Sequence, residues 1–394
     1  MATEIPEELK DDGLLATRTG YVPDTPDQRD ALYIDTLYKE IATTGVHLQA
    51  QHLQSASPGV YNQLNLGSCV ANAVAMALRY GQHKTVGMTN DTTFNPSRLF
   101  IWYFAKFLAG EDAKRNDPTK PGGEEAAKFN AGSQIRNALK TVYRYGVCPE
   151  EKWPYPTTDV NLVGSTIPQQ LPSDIAKPPS QELLELAKNY CNFKLRYYRI
   201  MTVAENTNEA QADSTKAPTA TAPSKVEQIR SCLAEGYPVV FAIKVFQKQN
   251  PDTGAWQDSW NPTNWKNMNR ASSSGSNEWF VKEAPADEDL GQWKSGHAML
   301  IVGYHRDLRS GKDGKPGMFR IQNSWGDANL PYIWLPYSYF ERGLVHDTWV
   351  IKIDGLLNAP DDKRDKWDAQ NDEQKTEQQG EQKTEQQDEQ KTEQ

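Results

Sequence analysis

The chain has 394 residues, 37% hydrophobic and 24% charged, enough for one large domain or two ordinary ones with a real core, which excludes wholesale disorder. Most of the formal net charge of -9 lies in residues 361–394, with twelve Asp/Glu against six Lys/Arg; the rest is nearly balanced and lacks the basic field of a nucleic-acid binder. No apolar run reaches the roughly 18 residues that span a bilayer and Met1-Ala-Thr-Glu-Ile-Pro has no signal-peptide character, so no membrane role and an intracellular, cytoplasmic location are expected.

Residues 1–54 read as an extended N-terminal arm: residues 1 to about 30 are expected on the surface, with packing of the arm on the body as the alternative, because the stretch Tyr21-Val-Pro-Asp-Thr-Pro-Asp-Gln-Arg-Asp30 is rich in Pro and residues that resist helix. Gly67 to Tyr80 is Ala-rich and apolar almost all round, predicting a buried helix with Cys69 in its first turn. Further helices are predicted at about 96–108 and 133–145, the second closed by Gly146. Beyond Pro154 the runs after Pro238, Ser295, Gly317 and Asp347 are β-branched and aromatic, predicting strands. Polar stretches at 203–224 and 247–294 read as surface insertions. The eight-residue Glu/Gln/Lys repeat within 356–394 has nothing to bury and predicts a disordered tail.

Cys69, Cys148, Cys191 and Cys232 form no CxxC pair and are too sparse for a disulfide framework or a zinc site, so free thiols in a reducing compartment and no metal or other cofactor are expected. A cysteine at a helix N-terminus meets unpaired N–H groups that favour the thiolate, which makes Cys69 a candidate nucleophile. Gln63, six residues earlier, can aim its amide above the sulfur and, with the Cys69 N–H, form an oxyanion hole. A thiolate also needs an imidazole to exchange its proton. His297, in Ser295-Gly-His-Ala-Met-Leu, stands at the mouth of a buried strand, and Asn323, in Gln322-Asn-Ser-Trp-Gly326, can orient it while Trp325 covers the bond from water. The other histidines show no metal-ligand spacing.

These blocks, in the order Gln, Cys, Gly, Pro-Val, His, Asn, resemble the papain-like cysteine peptidases (C1-type) over roughly residues 55–355. The resemblance implies an α+β fold of two lobes, a helical left lobe over about 55–170 and an antiparallel β right lobe over about 171–355, with the active-site cleft between. It implies a peptide or protein substrate, cut through a thioester acyl-enzyme by Cys69 as nucleophile, His297 as acid/base, Asn323 as orienter and Gln63 as oxyanion donor. Gly132 and Ser133 would pair with an extended substrate, and Val239, Ala298 and Trp325 would line its pocket. Val70 stands where many members have Trp, and the usual disulfide near the nucleophile is missing. Two other readings stand beside it: a non-catalytic peptide-binding module that keeps the cleft but not the chemistry, or an acyl/peptidyl transferase using the same residues.

Overall fold

The computed structural model describes residues 20–33 except 28, 51–52, 59–86, 95–164, 168–190, 193–201, 223–254, 256–260, 268–270, 279–311, 314–327 and 330–356. The expectations for 1–19, for most of 203–224, for Cys191 and for the repeat tail lie outside them. The apolar run after Gly67 forms α1 (Cys69–Val86), with Cys69 as its first helical residue and every side chain from Cys69 to Leu78 buried. Helix α2 (Arg98–Asn116) starts where Ser97 caps the Phe100 N–H with its hydroxyl. Helix α3 (Ile135–Tyr145) ends at Gly146, whose φ of 75° is the left-handed conformation that only glycine adopts cheaply.

Among the described residues the strands form one sheet, antiparallel except at one seam. Its components are β1 (Gln51–His52), β2 (Phe193–Arg199), β3 (Val239–Gln249), β4 (Trp256–Trp260), β5 (Met268–Arg270) and β6 (Trp279–Val281). The last four are β7 (Gln292–His305), β8 (Met318–Gln322), β9 (Tyr332–Pro336) and β10 (Val345–Leu356). The order is β2-β10-β3-β7-β8-β9-β6-β5, with β1 on β7, β4 on β3, and β6 parallel to β9. The stretch 247–294 is thus more than a surface insertion: it supplies β4, β5 and β6, and Met268 and Val281 are buried. Helix α4 (Lys225–Ala234) opens on a capping box made by Ser224 and Glu227.

Side chains alternate across the sheet, as the two-residue strand period requires. Val240, Ala242, Ala298, Leu300 and Val302 join the apolar cluster built on α1, α2 and α3. Val239, Phe241, Ile243, Met299 and Ile301 join a second cluster with α4 on the opposite face. Thus β3 and β7 are buried on both faces, which accounts for their nearly unbroken apolar runs. No helix among the described residues is long and apolar enough to cross a membrane.

The segment leading to Ser133 is fixed from behind by α2. Buried Lys106 donates its Nζ to the carbonyls of Ala127 (2.9 Å) and Phe129 (2.7 Å), with Nζ 3.6 Å from the centre of the Trp102 ring. Trp102 Nε1 donates to the Ala131 carbonyl at 3.1 Å. Burial holds the Lys106 ammonium well below its ordinary pKa. Asn130 Oδ1 accepts from the Gly67 N–H (2.8 Å), tying this segment to the turn that precedes Cys69.

Candidate active site

Cys69, His297, Asn323 and Gln63 come from α1, β7, the turn after β8 and the loop before α1, and the fold brings them to one place. Strand β7 lies against the sulfur, since the Ala298 N–H donates to Cys69 Sγ at 3.4 Å. His297 Nε2 is 2.8 Å from Asn323 Oδ1. That atom also accepts the Ser324 N–H at 2.9 Å, so it is the amide oxygen and Nε2 is the donor. The Trp325 ring lies 5.3 Å from the His297 ring, at an interplanar angle of 33°, and is 2% exposed. Trp325 therefore shields the histidine rather than offering a surface to a bound chain.

Gln63 is fully buried; its Nε2 donates to the Leu66 carbonyl (2.9 Å) and its Oε1 accepts from the Ser324 hydroxyl (2.6 Å). Ser324, which sequence reasoning passed over, thus holds both Gln63 and Asn323. Tyr155 adds a brace, donating to the Gln63 carbonyl (2.9 Å) and lying 2.5 Å from the Ser68 hydroxyl.

One expected pocket residue is corrected. Val239 is buried in the second cluster, on the face of β3 away from Ala298. The residue directly opposite Ala298 in register is Ala242. Because side chains alternate, an offset of three positions from Ala242 reverses the face.

The arm is docked on the body rather than lying free on the surface. Ser133 N–H donates to the Gly20 carbonyl (2.9 Å) and Val22 N–H to the Ser133 carbonyl (3.0 Å), a parallel pairing of Tyr21 with Ser133. On its other side, Tyr21 N–H donates to the carbonyl of Gly296 at 3.4 Å. A Cβ on Gly132 would come within 2.6 Å of the Gly20 carbonyl oxygen, so the two backbones touch. Tyr21 and Asp24 are buried, so this stretch is docked beside the sulfur instead of lying on the surface. Burial pushes the Cys69 thiol above its ordinary pKa, although N–H groups of Ala298, Gly20 and Val70 oppose the shift. With the arm in place, desolvation outweighs the helix terminus.

Charged groups lock the arm down. Asp24 accepts from the Arg136 N–H (3.1 Å) and from Trp349 Nε1 (2.8 Å), and its own N–H donates to Asp347 Oδ2 (2.7 Å). Arg136 pairs with Asp30 and donates to the Thr25 carbonyl (2.6 Å). Arg199 bridges Asp347 (2.7 Å) and Asp30 (3.4 Å). Burial, and then the charge of Asp347, raise the Asp24 carboxyl above its usual range, against the pull of Arg136. A pKa raised by docking stabilises the docked form fully below the ordinary carboxylate pKa of about 4 and stops doing so as pH rises through the raised value. The arm is therefore expected to loosen as pH rises. Hydrogen exchange at the Val22 amide, corrected for its intrinsic pH dependence, should lose protection with rising pH; Asp24→Asn should flatten that profile.

No protein-family model matches the sequence. The chain is 26% identical over 369 residues to an uncharacterized peptidase C1-like protein of Acanthamoeba polyphaga mimivirus, the match covering 88% of this chain and 91% of the relative. It is also similar to the crystal structure of xylellain, a cysteine protease from Xylella fastidiosa, with 27% identity, a TM-score of 0.57, and coverage of 86% of this chain and 97% of that one. The chain is thus similar in sequence and fold to papain-like cysteine peptidases. Its α+β architecture of helices packed on a mostly antiparallel sheet is that of the family. Among the described residues, Cys69, Cys148 and Cys232 are not joined to another cysteine.

Proposed function

We propose that the chain is a cysteine endopeptidase that hydrolyses peptide bonds through Cys69, His297, Asn323 and Gln63. The observation that carries this reading is that the Cys69 sulfur lies against the Ala298 N–H while the neighbouring His297 is held through Nε2 by Asn323. With Nε2 engaged, Nδ1 is the nitrogen assigned to proton exchange with sulfur. The thiolate attacks the peptide carbonyl, and the Cys69 N–H and the Gln63 amide stabilise the oxyanion. His297 then protonates the leaving amine, and a water deprotonated by His297 hydrolyses the thioester.

In the described conformation the enzyme is latent. The Gly20 N–H lies at the sulfur, so the arm covers the nucleophile. Turnover requires the arm to leave.

Labelling of the full-length Gly20→Ala chain, whose added Cβ displaces the arm, with a limiting thiol-directed epoxide at mildly acidic pH, mapped by peptide mass spectrometry, tests the reading. Cys69 should react selectively, and His297→Ala should slow both this labelling and cleavage of a quenched peptide library by roughly a hundredfold or more. Labelling spread evenly over all four cysteines, or indifferent to His297, overturns it.

A further inference from the structure

Asn323 has a second side. Its Oδ1 is taken by His297 and by the Ser324 N–H, which leaves Nδ2 as a donor, and that nitrogen is buried without a partner among the described residues. The preceding residue shows the complement. Gln322 is 2% exposed and donates its Nε2 to the Gly59 carbonyl at 3.1 Å, which fixes the amide with Oε1 on the other side. That oxygen is also buried without a partner among the described residues. One buried donor and one buried acceptor thus stand on consecutive residues at the end of β8, and both residues line the same cavity.

The cavity lies between α1 and the β7–β8 hairpin, walled by Asn72 and Ala73 on one side and by Ala298 and Leu300 on the other. Its room is about 10 Å³, which is that of a single water molecule. Asn72 brings a further polar atom. Its Nδ2 is spent on the carbonyl and hydroxyl of Ser68, while its Oδ1 takes the Arg98 guanidinium at 3.3 Å and keeps a second lone pair. Buried water typically makes about three hydrogen bonds, and three polar groups converge here.

We propose that this cavity holds one water molecule, which accepts from Asn323 Nδ2 and donates to Gln322 Oε1 and Asn72 Oδ1, and that Gln322 is thereby a positioning residue for His297. The positioning role rests on the peptidase reading above and deepens it. The last torsion of an asparagine is soft, so contacts at Oδ1 alone leave the amide plane free to rock. A partner at Nδ2 pins the plane from its other end, and Oδ1 stays aimed at the imidazole. The chemistry of the walls selects the occupant. An apolar group would leave Nδ2 and Oε1 desolvated with nothing in return, and a cation would meet the N–H of Nδ2.

The test uses the full-length Gly20→Ala chain, whose displaced arm opens the cleft. Its crystal structure, at a resolution that shows ordered water, should hold one water within about 3.2 Å of both Asn323 Nδ2 and Gln322 Oε1. Two substitutions at Ala73 separate the water from packing. Ala73→Ser puts a hydroxyl where the water stands and should keep kcat for a quenched peptide within about twofold of the parent. Ala73→Val puts methyl groups there and should lower kcat about tenfold with KM unchanged, because Nδ2 is left without a partner. Gln322→Met keeps the side-chain length, removes the acceptor and should lower kcat in the same way; it serves where Ala73→Val fails to fold. An empty cavity, or equal kcat for the Ser and Val variants, overturns the proposal. Labelling of Cys69 that is indifferent to His297 removes the peptidase reading instead, and the water site then stands or falls on the electron density alone.

Discussion

Gly20→Ala should expose Cys69 in the full-length chain. A Cβ at this position would stand 1.9 Å from the Gly67 carbonyl oxygen and 2.2 Å from its carbon, and both are backbone atoms in the turn that launches α1. Neither can give way without moving Cys69 itself. The arm is the weaker partner, so it is the arm that is displaced, and the pairing of Gly20 and Val22 with Ser133 is lost. Observed reactivity scales with the fraction of molecules whose cleft is open, so labelling of Cys69 and cleavage of a peptide library should rise roughly tenfold or more. The melting temperature of the body should change little. A variant that labels at the wild-type rate would mean that residues 20–22 do not control access to the thiol.

Arg199→Leu should be among the most destabilising single substitutions in the chain. Its guanidinium is 5% exposed and stands between Asp347, which is fully buried, and Asp30, which is 7% exposed. Burial alone would raise the Asp347 carboxyl, yet His346, Arg199 and the Tyr21 hydroxyl hold it below the usual range, so it is charged. Removing Arg199 strands that charge in the interior, a loss of about 3 to 5 kcal/mol. Urea denaturation measures it. Pairing Arg199→Leu with Asp347→Leu should recover part of the loss, because the uncompensated charge goes too; a double variant no more stable than the single would show that packing, not charge, is what Arg199 supplies.

Much of this site was legible in the sequence because its signals are local. The Ala-rich run after Gly67 can only be a helix buried on most sides, so Cys69 had to stand at its start. The apolar runs that carry His297 and precede Asn323 read as strands on composition alone. Strand parity was not legible: without the register that pairs Ala242 with Ala298, nothing marks which of the consecutive apolar residues after Pro238 faces the cleft. The docking of the arm was hidden for another reason. Its Asp and Pro content is that of an exposed segment, and the partners that bury Tyr21 and Asp24 lie more than 300 residues away in β10. The strands within 247–294 escaped notice because they are only three to five residues long, and take their order from pairing with β3 and β9.

Ser324 has a mechanical meaning for turnover. Through its hydroxyl it grips the amide assigned to the oxyanion, and through its N–H it grips the oxygen that steers the imidazole. The two halves of the proposed catalytic apparatus, one delivered by the loop before a helix and the other by a β-hairpin, are thereby riveted at a single residue. Whatever breathing admits a polypeptide into the groove leaves their spacing intact, and the reacting centre can open to traffic without being disassembled.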